Sequence, residues 1–153
     1  SQGLFVRPGQ IHAYLRGTGV EILGGSDNVV RGGLTPKHVS TADLRAVLAV
    51  AAATPWIVEP VDVVDPVSGV ADSESWPVPQ PEFELRRLRV EGSPRQIPPR
   101  GPTVLLCLEG KVELDDRDQR VTLGPGESAF VPATAAVLEV GGNGVLICAN
   151  PGS

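Results

Sequence analysis

Apolar residues in this chain come in short runs, and the spacing between them changes twice along its length. Leu4-Phe5-Val6 leads into Pro8-Gly9, and Ala13-Tyr14-Leu15 precedes Gly17 and Gly19. Val20-Glu21-Ile22-Leu23 ends at Gly24-Gly25, and Asp27-Asn28-Val29-Val30-Arg31 ends at Gly32-Gly33. Short runs closed by glycine or proline turns predict the strands of a sandwich or barrel. The period then shifts. Leu44, Val47, Leu48 and Ala51 follow the i, i+3, i+4, i+7 spacing of an amphipathic helix. That predicts one helix over residues 40–51, with Ser40 as N-cap, Asp43 as the acidic member of a capping box and Pro55 as the stop. Pro55, Pro60, Pro66, Pro77, Pro79 and Pro81 follow. Proline cannot donate to a ladder, so residues 54–81 are expected to be an extended connector with room for one edge strand.

From Glu82 the pattern is β again. Phe83 and Leu85 share one parity, and Leu88 and Val90 share the other, which predicts a bulge near Arg86-Arg87. Further strands are expected at residues 103–108, 111–114, 120–123, 128–131, 137–140 and 145–149. Gly110, Gly124-Pro125-Gly126 and Gly141-Gly142-Asn143-Gly144 separate them. Asp115-Asp116-Arg117-Asp118 reads as a solvated hairpin tip, because a calcium loop would need spaced oxygen ligands and a closing Glu. This many short strands suit an all-β jelly-roll or small barrel. The expected organisation is a β unit over residues 1–37, a helix and proline-rich linker over 38–81, and a second β domain over 82–153.

Composition sharpens the picture. Lys plus Arg is 13 and Asp plus Glu is 18, so the net charge of −5 makes nucleic acid and anionic membrane poor partners. The apolar fraction of 41% supports a real core, and 18 Gly with 15 Pro favour turn-rich β structure over a helical bundle. No apolar run is long enough to cross a bilayer, and no basic stretch leads into an apolar one at the start. The expected location is the cytoplasm, although a first residue of Ser leaves the natural start open. Cys107 and Cys148 lie in apolar strand sequences and are expected to be buried free thiols, with no CxxC pair to suggest a metal motif. The chain has two histidines, His12 and His38, too few for a complete His-rich metal site.

A weak internal repeat adds organisation. Gly126-Glu127-Ser128-Ala129-Phe130-Val131-Pro132-Ala133-Thr134 is similar to Ser1-Gln2-Gly3-Leu4-Phe5-Val6-Arg7-Pro8-Gly9. Each reads as a turn, an apolar strand containing Phe-Val and a second turn, as two copies of one fold would. Three residues past the second turn the first copy carries His12 and the second carries Val137. A metal site, if present, belongs to the first copy.

The residues near His12 invite chemistry, with plain alternatives open. His12 is either an ordinary histidine or a ligand at a cavity mouth. Tyr14 suits a core position with its hydroxyl satisfied locally, and Glu21 suits an outward strand position or a partner that orients a ligand. If residues 27–31 are extended, Asp27 and Arg31 share a face. There they could form a surface ion pair, or hold and stabilise an enediolate. Lys37 is a solvated lysine or a phosphate contact near a helix start, and His38 reads as structural or exposed.

Gly9-Gln10-Ile11-His12 resembles the second metal motif of a cupin. The strings HAYL (12–15), VE (20–21), SDNVVR (26–31) and GLTPKH (33–38), in that order and spacing, closely resemble the signature region of type I mannose-6-phosphate isomerases. The C-terminal unit resembles that family's second, metal-free cupin more loosely, through Gly110, Gly126-Glu127 and Pro132-Ala133. The resemblance implies a cupin jelly-roll, the double-stranded β-helix, whose first unit is only partly present. It implies zinc-dependent interconversion of mannose 6-phosphate and fructose 6-phosphate through an enediol. It makes His12 a zinc ligand, Asp27 and Arg31 catalytic, and Tyr14, Glu21 and Lys37 substrate-binding. The family's remaining ligands, a Gln, a His and a Glu, precede this segment and have no counterpart in residues 1–11. Partners implied are a sugar phosphate and an N-terminal segment of the same protein. The chain alone is then expected to be inactive, with strands of residues 4–34 left without partners. The alternative is a non-catalytic cupin module for sugar binding or assembly, and open strand edges would allow a homo-oligomer.

Overall fold

The computed structural model describes residues 2–26, 29–50, 54–64, 71–97, 100–135 and 137–152. They form two compact units, Gln2–Val58 and Glu59–Ser153.

In the first unit β1 (Gly3–Phe5) pairs antiparallel with β2 (Trp56–Val58), so that Phe5 lies opposite Trp56. Their rings meet edge to face with centroids 5.5 Å apart, and the Arg7 guanidinium lies 4.9 Å from the Trp56 ring centre. The helix α1 (Thr41–Val47) starts as its sequence predicts, with the Ser40 hydroxyl accepting from the Asp43 amide at 3.3 Å. It ends earlier than the spacing to Ala51 suggests. The Ala49 amide donates to the Gly9 carbonyl at 2.9 Å, which takes the chain out of the helix. The expected strands at 13–15 and 20–23 do not form, nor is there one at residues 29–31; residues 27–28 lie outside the described residues. A strand exists by its ladder, and the described residues offer these segments no partner. Their apolar side chains are correspondingly bare: Leu15 is 92% exposed and Leu23 56%.

The second unit is an antiparallel β structure of β3 (Val61–Val64), β4 (Ala71–Ser75), β5 (Glu84–Val90), β6 (Arg95–Ile97), β7 (Thr103–Asp115), β8 (Arg120–Leu123), β9 (Ser128–Val131) and β10 (Leu138–Asn150). The sheet runs β3-β4-β5-β10-β7-β8, with β6 also on β10 and β9 also on β7. Residues 54–81 therefore hold β2, β3 and β4 where an extended connector with room for one edge strand was expected. The Val- and Ile-containing runs of β2 and β3 and the polar run of β4 fit between the prolines.

Two 13-residue strands organise the unit. β10 pairs with β6 through Leu138–Val140 and with β5 through Gly144–Asn150, while its other edge follows β7. β7 pairs with β9 near its start and with β8 near its end. Gly110 and the Gly141–Gly144 stretch were expected to separate strands. They are instead places where continuous strands cross closely: Gly144 lies opposite Gly110, and the register shifts between Val145 and Leu146. Gly110 has φ +75°, and a Cβ there would strike the Asn143 carbonyl oxygen. Such crowded crossings let long strands bend from one layer toward another.

The bulge expected near Arg86-Arg87 is not there, since β5 keeps one register against β10 throughout. Glu84 and Arg86 share the inward parity of Leu88 and Val90, and that inner face simply becomes polar at one end. Leu88, Val90, Leu105, Cys107, Val112, Leu114, Leu123, Val131, Leu138, Val140, Leu146 and Cys148 form the core. Both cysteines are buried thiols outside any disulfide, and burial pushes the Cys107 thiol up. The acidic run is a hairpin tip, as expected. Asp115 accepts from the Arg117 amide at 2.8 Å and from Arg120 at 2.9 and 3.0 Å, and Asp116 accepts from the amides of Asp118 and Gln119.

Candidate active site

The segment carrying His12 is set by a tight turn. The Gln10 amide donates to the Arg7 carbonyl at 3.1 Å, Pro8 occupies the second turn position and Gly9 has φ +77°. That is the chemistry of a type II turn. A Cβ on Gly9 would come within 2.6 Å of the Val47 carbonyl oxygen, so glycine also lets the turn lie against the end of α1. The same bond recurs in the other copy of the repeat, where the Ala135 amide donates to the Pro132 carbonyl at 3.0 Å.

Beyond the turn, His12 Nδ1 lies 3.1 Å from the Gln10 carbonyl oxygen. A carbonyl only accepts, so this bond puts the proton on Nδ1 and leaves the Nε2 lone pair free. That is the tautomer of an imidazole that binds a metal through Nε2. The His12 ring meets Tyr14 edge-on with centroids 5.6 Å apart, and Tyr14 Oη donates to Glu21 Oε1 at 3.4 Å. Desolvation, then the neighbouring Glu21 charge, raises the Tyr14 hydroxyl above its usual range, so it stays a proton donor at neutral pH.

The structure thus brings His12, Tyr14 and Glu21 together. Arg31 and Lys37 are exposed and bonded to none of the three. A Cβ on Gly32, next to Arg31, would lie 3.0 Å from Ile11 Cδ1, so the chain there passes the residue before His12. The Lys37 amide donates to Thr35 Oγ1 at 3.2 Å. Asp27 lies outside the described residues. His38 is exposed, as expected. Among the described residues no group of three or more His, Cys, Asp or Glu is gathered closely enough to hold a metal. The donor chemistry of His12 fits one position of a zinc shell, and a full shell needs three or four protein ligands.

Sequence reading passed over a second polar cluster, at the open end of the C-terminal barrel. It comprises Glu84, Arg86, Arg100 and Asn150. The missed signal was parity: Glu84 and Arg86 alternate in phase with the buried Leu88 and Val90.

A sequence model of the family described as mannose-6-phosphate isomerase, cupin domain, matches residues 75–151, which is half of the chain. The chain belongs to the mannose-6-phosphate isomerase cupin family. Among relatives, it is 33% identical to mannose-6-phosphate isomerase of Escherichia coli over 137 residues, which are 88% of this chain and 33% of that protein. It is 31% identical to mannose-6-phosphate isomerase 2 of Arabidopsis thaliana over 147 residues, 95% of this chain and 32% of that one. The chain therefore spans about a third of the length of these isomerases. Among solved structures, a mutant of phosphomannose isomerase from Salmonella typhimurium is 28% identical with a TM-score of 0.66, covering 83% of this chain and 31% of that one. The mannose 6-phosphate isomerase from the same organism, solved bound to substrate (f6p) and a zinc atom, is 27% identical with a TM-score of 0.64 over the same shares. The all-β cupin jelly-roll of the isomerase family is thus the fold of this chain.

Proposed function

We propose that this chain is the C-terminal portion of a zinc-dependent mannose-6-phosphate isomerase. The whole protein interconverts mannose 6-phosphate and fructose 6-phosphate, and the chain alone is inactive. The observation that carries the reading is the gathering of His12, Tyr14 and Glu21, with the His12 ring held in a ligand-competent tautomer. A family relative solved with substrate and zinc supports it.

In this reading His12 supplies one zinc ligand, and the remaining ligands come from an N-terminal segment of the same protein. Bound zinc would supply Lewis acidity toward the sugar carbonyl. Arg31 holds a guanidinium toward the negative charge that develops when a proton moves between C2 and C1, and Asp27 takes part in that transfer. Tyr14, its proton held by Glu21, accepts from a substrate hydroxyl, and Lys37 meets the phosphate. The exposure of Ile11, Tyr14 and Leu15 supports the same reading, since these side chains await a cover.

The second reading is a non-catalytic sugar-binding or assembly module, favoured by the self-contained core of residues 59–153. The test compares the full-length protein with the 153-residue chain. The proposal expects zinc and conversion of mannose 6-phosphate in the former and neither in the latter. Pure full-length protein lacking both would overturn it. Sugar-phosphate binding by the 153-residue chain without metal would favour the second reading.

A further inference from the structure

The inner face of β5 turns from apolar to charged at Arg86. Its side chain is only 11% exposed, and its Nε has no hydrogen-bond partner among the described residues. The nearest carboxylate oxygen, Glu84 Oε2, is 3.8 Å from Nε, too far for a hydrogen bond. That same oxygen is shared with Arg100, at 3.6 Å, and accepts from Asn150 Nδ2 at 3.3 Å. Among the described residues one carboxylate thus stands against two guanidiniums, leaving one positive charge in excess.

A cavity of about 20 Å³ opens beside these groups, with Arg86, Arg100 and Thr103 at its polar end and Leu105, Leu146 and Cys148 among its apolar walls. No carboxylate is among the described residues that line it. The Thr103 hydroxyl donates to the Gly101 carbonyl at 3.1 Å. A buried N–H without a partner is costly, and apolar walls strengthen the field of the two cations. The space suits a single water-sized species and nothing as large as a sugar.

We propose that this end of the barrel is a binding site for a small monovalent inorganic anion of the size of chloride. The anion accepts from Arg86 Nε, balances the excess charge and fills the cavity. The site belongs to residues 59–153 and is independent of the reading of His12.

Two measurements test it. In crystals of the 153-residue chain grown in sodium bromide, anomalous diffraction should place a bromide within hydrogen-bonding reach of Arg86 Nε. A cavity holding only water would overturn the proposal. In solution, the melting temperature should rise with the logarithm of chloride concentration when chloride replaces gluconate at fixed ionic strength. Arg86→Gln should abolish that rise, and an identical rise in the variant would overturn the proposal. If Arg86→Gln does not fold, Arg100→Gln, at a position 40% exposed, should weaken the same dependence, and an unchanged dependence there would count against the site.

Discussion

The crossing of the two long strands makes a quantitative prediction. Gly110 lies opposite Gly144 with φ +75°, and a Cβ there would sit 2.7 Å from Gly144 Cα as well as against the Asn143 carbonyl. Placing alanine in the left-handed region costs about 1–2 kcal/mol. A stiffer unfolded chain offsets roughly 0.4–1 kcal/mol of that. The collision is with backbone on a paired strand, which cannot rotate away, and overpacking of this kind costs about 1–3 kcal/mol. Gly110→Ala should therefore destabilise residues 59–153 by about 2–4 kcal/mol. For a unit of this size that lowers the melting temperature by on the order of 10–20 °C. Gly126→Ala is the internal control. Its φ is +84°, but nothing lies within 4 Å of the new Cβ, so only the conformational cost of about 1 kcal/mol applies. Urea unfolding followed by circular dichroism measures both. If Gly110→Ala costs no more than Gly126→Ala, the close crossing is not what shapes the barrel.

Two further predictions concern charge. Arg31→Ala in the full-length protein should lower turnover by about 10²–10³ while stability changes by no more than roughly 0.5 kcal/mol, because the side chain is exposed. Steady-state kinetics beside thermal melting checks this, and near-normal turnover would remove Arg31 from the reaction. Asp115 is held below the usual carboxylate range first by the Arg117 amide and then by Arg120. A lowered folded-state value means that its stabilisation is present above the unfolded pKa, near 4, and is lost as pH falls through the folded value. Asp115→Asn should thus melt below wild type at neutral pH, with the gap closing only in strong acid, as pH-dependent melting curves would show.

The C-terminal barrel was legible in the sequence because its alternation is enforced by burial. Leu105 and Cys107, like Leu146 and Cys148, carry the period-two pattern directly into the core. What the sequence misrepresented was continuity. Gly110 and Gly144 look like turn residues, and the property that suits glycine to turns also lets two strands cross without a break. Arg86 misled in the opposite direction. A charge at an inward position looks like a slip of phase, although β5 has none and the barrel end is polar. The N-terminal runs alternate like strands, but alternation cannot supply a partner. At the candidate site the string of residues from His12 to His38 supplied the candidates, and of these the structure joins His12 to Tyr14 and Tyr14 to Glu21. Periodicity could not have shown that the Gln10 carbonyl fixes the imidazole, because that bond depends on the turn before it.

The proposed function rests on His12 helping to hold zinc in the full-length protein. Its most direct test is zinc content and mannose 6-phosphate turnover of the full-length protein, wild type against His12→Ala. The variant should fold, lose bound zinc and lose turnover together. A folded variant that keeps its zinc and its activity would contradict it.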